Sequence, residues 1–286
     1  MSVLKRVPKS KRGSLCRILA GLLLAGLAFE GRATIYTLTD GDSAVLVNDA
    51  SGSGSAYNWT VGGVNQLNNQ WFYYRIGSGA QEYAIDSISA PTSILDLNGK
   101  GLTTTYANGT ISVQVYFSLV DSLNPGESHF NQVVTVNNLS GASMSLNLFQ
   151  YSDYNLGGDP NDQSAQFYLS GGKYRNLVQT DGGWTLTETV NPPISPSTTV
   201  LVAAVSDGSI LTSLTDGSVT TLPNDTSEGP GDITYAFQWQ STIATGGSLQ
   251  LSKLQGVVLV PEPSSLVLIS LGGCFIIGML RRRWAV

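Results

Sequence analysis

The chain has 286 residues, of which 42% are hydrophobic and only 12% charged, so it can bury a sizeable core in one or two domains. Seven of the 15 basic residues precede residue 33 and three follow residue 263, whereas 19 of the 20 acidic residues lie between them, which gives the body a net charge near −14. Such an acidic body argues against nucleic-acid binding, which needs a cationic surface. Divalent cations or neutral glycans are more compatible partners.

The N-terminal segment has the pattern of an export signal. A basic stretch through Arg17 precedes an apolar run over residues 18–29, which is the length of a signal-peptide core and short for a membrane span. Gly31 and Ala33 place small residues at the −3 and −1 positions, so we predict a signal peptide over residues 1–33, cleaved after Ala33. The alternative is an uncleaved N-terminal anchor.

Cysteine usage agrees with an exported body that needs no disulfide. The two cysteines are Cys16, in the signal segment, and Cys274, near the C-terminus. The body between them therefore has no cysteine nucleophile, no thiolate metal site and no disulfide framework.

The body, residues 34–259, is predicted to be all-β. Apolar and polar residues alternate over 111–119, 144–148 and 233–239, which is the period of a strand with one buried face. Turn pairs such as Asn98-Gly99 and Asp181-Gly182 separate the segments. Further strands are predicted at 35–39, 44–48, 71–76, 83–89, 102–106, 128–137, 165–169, 174–180, 183–189, 199–205 and 248–259.

Strands with one apolar and one polar face bury the apolar faces by pairing two sheets. We therefore predict an antiparallel β-sandwich forming one domain, with a closed barrel or two smaller sandwiches as alternatives. The predicted core consists of Phe72, Val113, Val115, Phe117, Val134, Leu146, Leu148, Val202 and Phe237.

Few residues of the body suggest catalysis. It has a single histidine, His129, which excludes a histidine-centred zinc site and leaves a serine triad without support. If residues 82–89 were extended, Glu82 and Asp86 would share a face about 13 Å apart, too far for a glycosidase pair. We therefore predict no catalytic residue and expect these acids to be solvated.

The loop after residue 152 is the best candidate metal site. Its oxygen-bearing side chains and glycines suit calcium, a hard cation that prefers six to eight oxygen ligands. The candidate ligands are Asp153, Asn155, Asp159 and Asp162. Gly157 and Ser164 stand where a calcium loop has ligands, so a plain polar hairpin loop is the alternative, and no other cofactor is predicted.

Aromatic residues suggest a second kind of site. Trp71, Tyr73 and Trp184 would form a glycan-stacking platform if they lay on solvent-exposed faces. In the run 71–74, alternation places at least one face in the core.

The last 27 residues contain three distinct segments. Val260-Pro261-Glu262-Pro263 is followed by an apolar stretch over 264–280, roughly 25 Å long as a helix, and then by Arg281, Arg282 and Arg283. The arginines favour a cytoplasmic location for that end.

This arrangement resembles a PEP-CTERM sorting signal, also catalogued as an ice-binding-protein C-terminal domain. The resemblance implies an exosortase-like processing enzyme as a partner and a transient anchor in the inner membrane through the helix at 264–280. It also implies a final location at the cell surface or outside the cell, as in biofilm-forming bacteria. An ordinary single-span tail anchor is the alternative.

Together these features predict an exported, surface-anchored or exosortase-processed protein without enzymatic activity. Its predicted role is structural or adhesive, in the envelope or the extracellular polysaccharide matrix. A carbohydrate-binding module or a carbohydrate-active enzyme on a β-sandwich is the alternative function.

Overall fold

Strands make up most of the body in the computed structural model, which describes residues 34–49, 54–191 and 198–260. The first nine strands are β1 (Ile35–Asp40), β2 (Ser43–Asn48), β3 (Ser55–Val61), β4 (Val64–Asn65), β5 (Leu67–Ile76), β6 (Tyr83–Ala84), β7 (Thr92–Leu95), β8 (Gly101–Ala107) and β9 (Ile111–Asp121). The other nine are β10 (Glu127–Asn138), β11 (Met144–Tyr154), β12 (Gln163–Ser170), β13 (Lys173–Asp181), β14 (Trp184–Asn191), β15 (Thr199–Val205), β16 (Ser227–Gly231), β17 (Thr234–Ile243) and β18 (Ser248–Leu259). One short helix, α1 (Ser209–Thr215), lies between β15 and β16.

The strands form two nine-stranded sheets with antiparallel pairing. Sheet 1 has the order β1-β2-β3-β5-β11-β17-β15, with β4 beside β3 and β6 beside β5. Sheet 2 has the order β16-β12-β13-β14-β18-β10-β9-β8-β7. The prediction of an all-β, antiparallel body is confirmed.

Aromatic side chains fill the space between the two sheets. Phe167 of sheet 2 meets Phe237 of sheet 1 edge to face with ring centroids 5.1 Å apart, and Trp59 of sheet 1 lies 5.8 Å from Phe130 of sheet 2. All nine residues of the predicted core are buried. The apolar alternation read from 111–119 and 233–239 therefore identified the faces that the sheets bury against each other.

Sheet 1 differs from the prediction because its outer face is largely covered. The segment after β5 folds back on that face, where the guanidinium of Arg75 and the carboxylate of Glu82 form a buried ion pair at 2.9 Å. Helix α1 and the loop after it add the buried side chains of Leu214 and Leu222. Side chains of sheet 1 are thus buried on both faces, which a period of two does not predict.

Several elements were missed or misassigned in the sequence. The predicted strand 83–89 is only the two-residue β6 followed by a 3-10 turn over Ile85–Ser87. Strands β3, β4, β7 and β16 and the seven-residue α1 were not predicted. These elements are short or polar, and their pairing partners, rather than their own sequences, hold them in place.

The predicted signal peptide (1–33), the Pro-Glu-Pro motif and the membrane helix at 264–280 lie outside the described residues. Among the residues that are described, no helix is long and apolar enough to cross a membrane.

Candidate functional site

A pocket of about 600 Å³ opens on the outer face of sheet 1. It lies where β3 and β5 separate, since these strands are in register only at Ala56 and Gln70. Its walls carry amide, hydroxyl, carboxylate and aromatic groups rather than a purely apolar lining. The lining residues are Asn48, Gly54, Ser55, Tyr57, Asn68, Asn69, Trp71, Tyr73, Ala84, Asp86 and Thr215.

A row of polar side chains continues from the pocket across the sheet. Asn69, Asp153 and Thr234 are directly opposite one another on β5, β11 and β17. Strand neighbours in register point to the same side, and the alternate residues Gln70 and Ser152 face the core. The row therefore lies on the outer face of sheet 1.

Each member of this row has a buried oxygen without a hydrogen-bond partner. These atoms are Oδ1 of Asn69, Oδ1 of Asp153 and Oγ1 of Thr234. Leaving a buried polar atom unpaired costs about 1–3 kcal/mol, so three in register are costly unless something outside the chain pairs with them. These three oxygens are therefore available to hydrogen-bonding groups from outside the chain.

Asp153 is the ionisable member of the row. The side-chain amide of Asn68, a pocket residue, donates to its Oδ2 at 2.8 Å. Burial raises the pKa of Asp153, and the negative charge of the exposed Asp232 raises it further. A carboxyl that keeps its proton more readily than usual is suited to act as a general acid.

Glu82 and Asp86 are not the solvated acids that the sequence suggested. Glu82 pairs with Arg75 and accepts from the backbone N–H of Thr220, while Asp86 accepts from the indole N–H of Trp71 at 2.9 Å. Both are buried. Their expected 13 Å spacing does not apply, because the segment 82–89 is not an extended strand.

The three predicted stacking residues do not share one exposed face. Trp71 is only 2% exposed, with Phe117 stacked at 6.4 Å and Tyr106 against its edge. Tyr73 lines the pocket but is 8% exposed, and Trp184 lies on β14 of the other sheet. Trp71 and Tyr73 both line the pocket with little exposed surface, and Trp184 lies on the other sheet, so the three do not form one exposed platform.

The predicted calcium ligands are spread along the end of β11 and its loop. Asp153, on the sheet, accepts a hydrogen bond from the side-chain amide of Asn68. Oδ1 of Asp159 accepts hydrogen bonds from the backbone and side-chain amides of Asn161. In the part of the chain that the structure describes, no three carboxylate, histidine or cysteine groups are placed to hold a metal. Calcium binding by Asp153, Asn155, Asp159 and Asp162 stays a prediction, which titration of calcium during thermal unfolding tests.

The sequence did not single out Asn68, Asn69, Asp232 or Thr234. The run Asn68-Asn69-Gln70 just before four aromatics was a local signal that this strand end is polar. The alignment of Asn69 with Asp153 and Thr234 depends on pairing between strands that are 84 and 81 residues apart, which no local pattern encodes.

No known protein-family model matches the sequence, and no curated protein matches it. Among solved structures, the structure of this chain is similar to that of a bacterial glucoamylase complexed with acarbose. The TM-score is 0.52 and the identity 10%, over 85% of this chain and 36% of that one. The chain therefore spans about a third of the length of this glucoamylase. An aldose epimerase homologue from C. elegans aligns at a TM-score of 0.49 and 6% identity, over 80% of this chain and 100% of that one. A galactose mutarotase-like protein from Lactobacillus casei ATCC 334 aligns with a TM-score of 0.40 and 10% identity, over 78% of this chain and 100% of that one.

At such low identity the similarity to the glucoamylase establishes the fold alone. It nevertheless corrects one expectation drawn from the sequence. The comparison does not support the predicted structural or adhesive role without catalysis, because the matched structure is that of an enzyme, the glucoamylase. The alternative, a carbohydrate-binding or carbohydrate-active β-sandwich, is the one that is favoured.

Proposed function

We propose that the body is a carbohydrate-active enzyme that binds a neutral saccharide in the pocket on sheet 1. The observation that carries the proposal is the row of Asn69, Asp153 and Thr234, whose buried oxygens lack partners beside a pocket of sugar-binding size. Saccharide hydroxyls both donate and accept, so they can satisfy such oxygens. The acidic body disfavours an anionic sugar.

In this mechanism Asp153 is the general acid. Its carboxyl, whose pKa is raised by burial, donates a proton to the oxygen that leaves the anomeric carbon as that C–O bond breaks, and a proton from the hydroxyl or water that replaces this oxygen restores the acid. The hydrogen bond from the side chain of Asn68 keeps the carboxyl in position. Asp232 lies nearby as an exposed carboxylate whose charge favours the protonated form of Asp153.

The test is proton NMR of the purified body with a panel of neutral mono- and oligosaccharides, because the spectrum reports both anomer exchange and glycosidic cleavage. We expect conversion of at least one saccharide and a 10²- to 10⁴-fold slower rate for Asp153→Asn, the usual contribution of a general acid. Asp207→Asn is the matched control, since Asp207 is exposed in a turn of the loop before α1. Equal rates for Asp153→Asn and the native protein would contradict the role of Asp153, and failure to convert any saccharide would contradict the enzyme.

We also propose that this enzyme is exported. The proposal rests on the signal-peptide pattern of residues 1–33 and on the PEP-CTERM resemblance of residues 260–286, in which the apolar stretch 264–280 is the predicted membrane helix. An exosortase-like enzyme would be its processing partner, and the inner membrane its anchor before release to the surface.

A further inference from the structure

We propose that the outer face of sheet 2 is a second binding surface, which holds a neutral polysaccharide chain. This face lies on the opposite side of the sandwich from the pocket and from Asp153, so it is a site distinct from the proposed active site.

The face is rich in hydroxyl and amide groups that point away from the core. In β9, β10, β14 and β18, buried core residues alternate with half-exposed or exposed ones. Typical members of the outward set are Gln114, Asn131, Thr135, Thr187, Thr189 and Gln250. With strands about 4.8 Å apart, the five central strands β8, β9, β10, β18 and β14 present a surface roughly 20 Å wide.

The same face is almost without charge. Within these five strands, all of which the structure describes, the outward side chains that can carry charge are Glu127 and His129, which lie 3.5 Å apart at one end of β10. Lys253 and Glu188 of neighbouring strands point into the core instead. The body has a net charge near −14, so other parts of its surface carry charged side chains whose desolvation is costly. A neutral polymer can bind this uncharged face without that cost.

Cross-strand bonds hold several of these groups in place. Gln250 donates to the hydroxyl of Thr135 at 3.3 Å, Thr189 to Asn176 at 3.1 Å and Gln114 to Thr105 at 3.2 Å. Each bond fixes an amide or hydroxyl before a ligand arrives, which lowers the entropy lost on binding. Oδ1 of Asn131, in the middle of the face, is buried and has no partner.

One end of the face contains a groove with an aromatic wall. A cavity of about 430 Å³ lies over β12, β13 and β16, and Tyr168 on its edge is 49% exposed. Its other polar groups include Gln166, Thr180 and Glu228. A tyrosine ring beside such groups suits a sugar, whose C–H face packs on the ring while its hydroxyls bond to the polar groups. The carboxylate of Glu228 repels an anionic polymer.

Affinity electrophoresis tests the inference. The purified body is run in native gels that contain a neutral polymer (hydroxyethylcellulose, soluble starch or galactomannan) or an anionic one (alginate or polygalacturonate). We expect retardation in at least one neutral gel and none in the anionic gels. Tyr168→Ala and Thr187→Asp should each weaken the retardation at least tenfold, because they remove the aromatic wall and place a charge on the face.

Matched controls separate the face from the rest of the surface. Tyr83→Ala changes another exposed tyrosine, on sheet 1, and Thr212→Asp changes an exposed threonine of α1; both should be retarded like the native protein. No retardation in any neutral gel overturns the inference, as does equal retardation of the Tyr168 and Thr187 variants. Asp153→Asn should bind the polymer normally. Loss of binding in that variant alone would assign the polymer to the pocket on sheet 1 and would also overturn the inference.

Discussion

At the scale of single residues, the least expected feature is an ion pair in the centre of the sandwich. Lys253 Nζ lies 3.2 Å from Glu188 Oε1 and also donates to Gln132 at 3.1 Å. Tyr235 and Gln255 donate to the other oxygen of Glu188 at 2.7 and 2.8 Å. Both charged side chains are wholly buried, so each depends on the other and on this polar network for compensation.

We predict that Lys253→Met lowers the free energy of unfolding by about 3–5 kcal/mol, because it leaves the carboxylate of Glu188 buried without its cation. The double variant Lys253→Met with Glu188→Gln should recover much of the loss, since no uncompensated charge remains. Urea unfolding measures both. Lys100→Met is the control, because Lys100 is paired with Asp40 at 2.5 Å on the surface and should cost at most about 1 kcal/mol. A double variant no more stable than the single one would contradict the pairing.

The same lysine should make stability depend on pH. Burial lowers the pKa of Lys253 to about 8, against the ordinary value of 10.5 that it regains on unfolding. Between these values the unfolded chain binds the extra proton, so the free energy of unfolding should rise as the pH increases from 8 to 10. Unfolding measured across this range in the native protein and in the double variant checks the prediction. The slope should be smaller in the variant, and an identical slope in both would assign it to other groups.

At the scale of elements, the segment between β5 and β7 and the segment around α1 cover sheet 1 and form part of the pocket wall. Glu82 joins them, because it pairs with Arg75 of β5 and both of its oxygens accept from the N–H of Thr220, after α1. Thr220 also donates its hydroxyl to the carbonyl of Ser213 within the helix. The covering layer is therefore held by a few polar contacts as well as by Leu214 and Leu222.

We predict that Glu82→Gln loosens this layer before it affects the rest of the sandwich. The change leaves the guanidinium of Arg75 buried without its anion, which is costly, and the layer can move away to hydrate it. Relative to the native protein, the hydrogen-exchange rates of backbone amides in residues 209–222 should increase more than those of amides in sheet 2. Asp216→Asn, an exposed change in the same layer, should leave exchange as it is in the native protein. A uniform increase throughout the body would instead mean that Glu82 supports the whole fold.

At the scale of the whole molecule, the chain separates its basic and acidic residues into different regions. The basic residues concentrate in the two terminal segments, and the acidic ones in the body. The cationic ends suit the cytoplasmic side of a membrane, whereas an acidic, cysteine-free body suits an oxidising exterior. The two faces of the sandwich differ as well, since sheet 1 is covered and carries the pocket while sheet 2 is open and nearly neutral.

We predict that mass spectrometry of the mature protein from its own cells finds an N-terminus near Thr34 and a C-terminus near Pro263. Cleavage by a signal peptidase and by an exosortase-like enzyme would produce these ends. A peptide that still ends at Val286 would contradict exosortase processing and leave a simple tail anchor. Recovery of the uncleaved chain from the cytosol would contradict export.

The sequence by itself determined most of the longer strands and the predicted core of this protein. An alternation with a period of two needs only local residues, so the pattern in 111–119 identified the buried faces of β9, and the predicted Phe72 and Phe237 lie in the core. The same reasoning failed where burial has a cause outside the strand. Lys253 follows Leu249 and Leu251 on the buried face of β18, but its partner Glu188 lies on β14, 65 residues away.

Only the tertiary structure decided where the candidate site is. The sequence did not single out Asn69 or Thr234, and it suggested Asp153 only as a calcium ligand. The three form a row because β11 pairs with β5 on one side and with β17 on the other. The covering of sheet 1 by α1 likewise depends on contacts between distant segments. Local patterns encode which face of a strand avoids water, whereas a site depends on which strands become neighbours, and that is set by the packing of the whole chain.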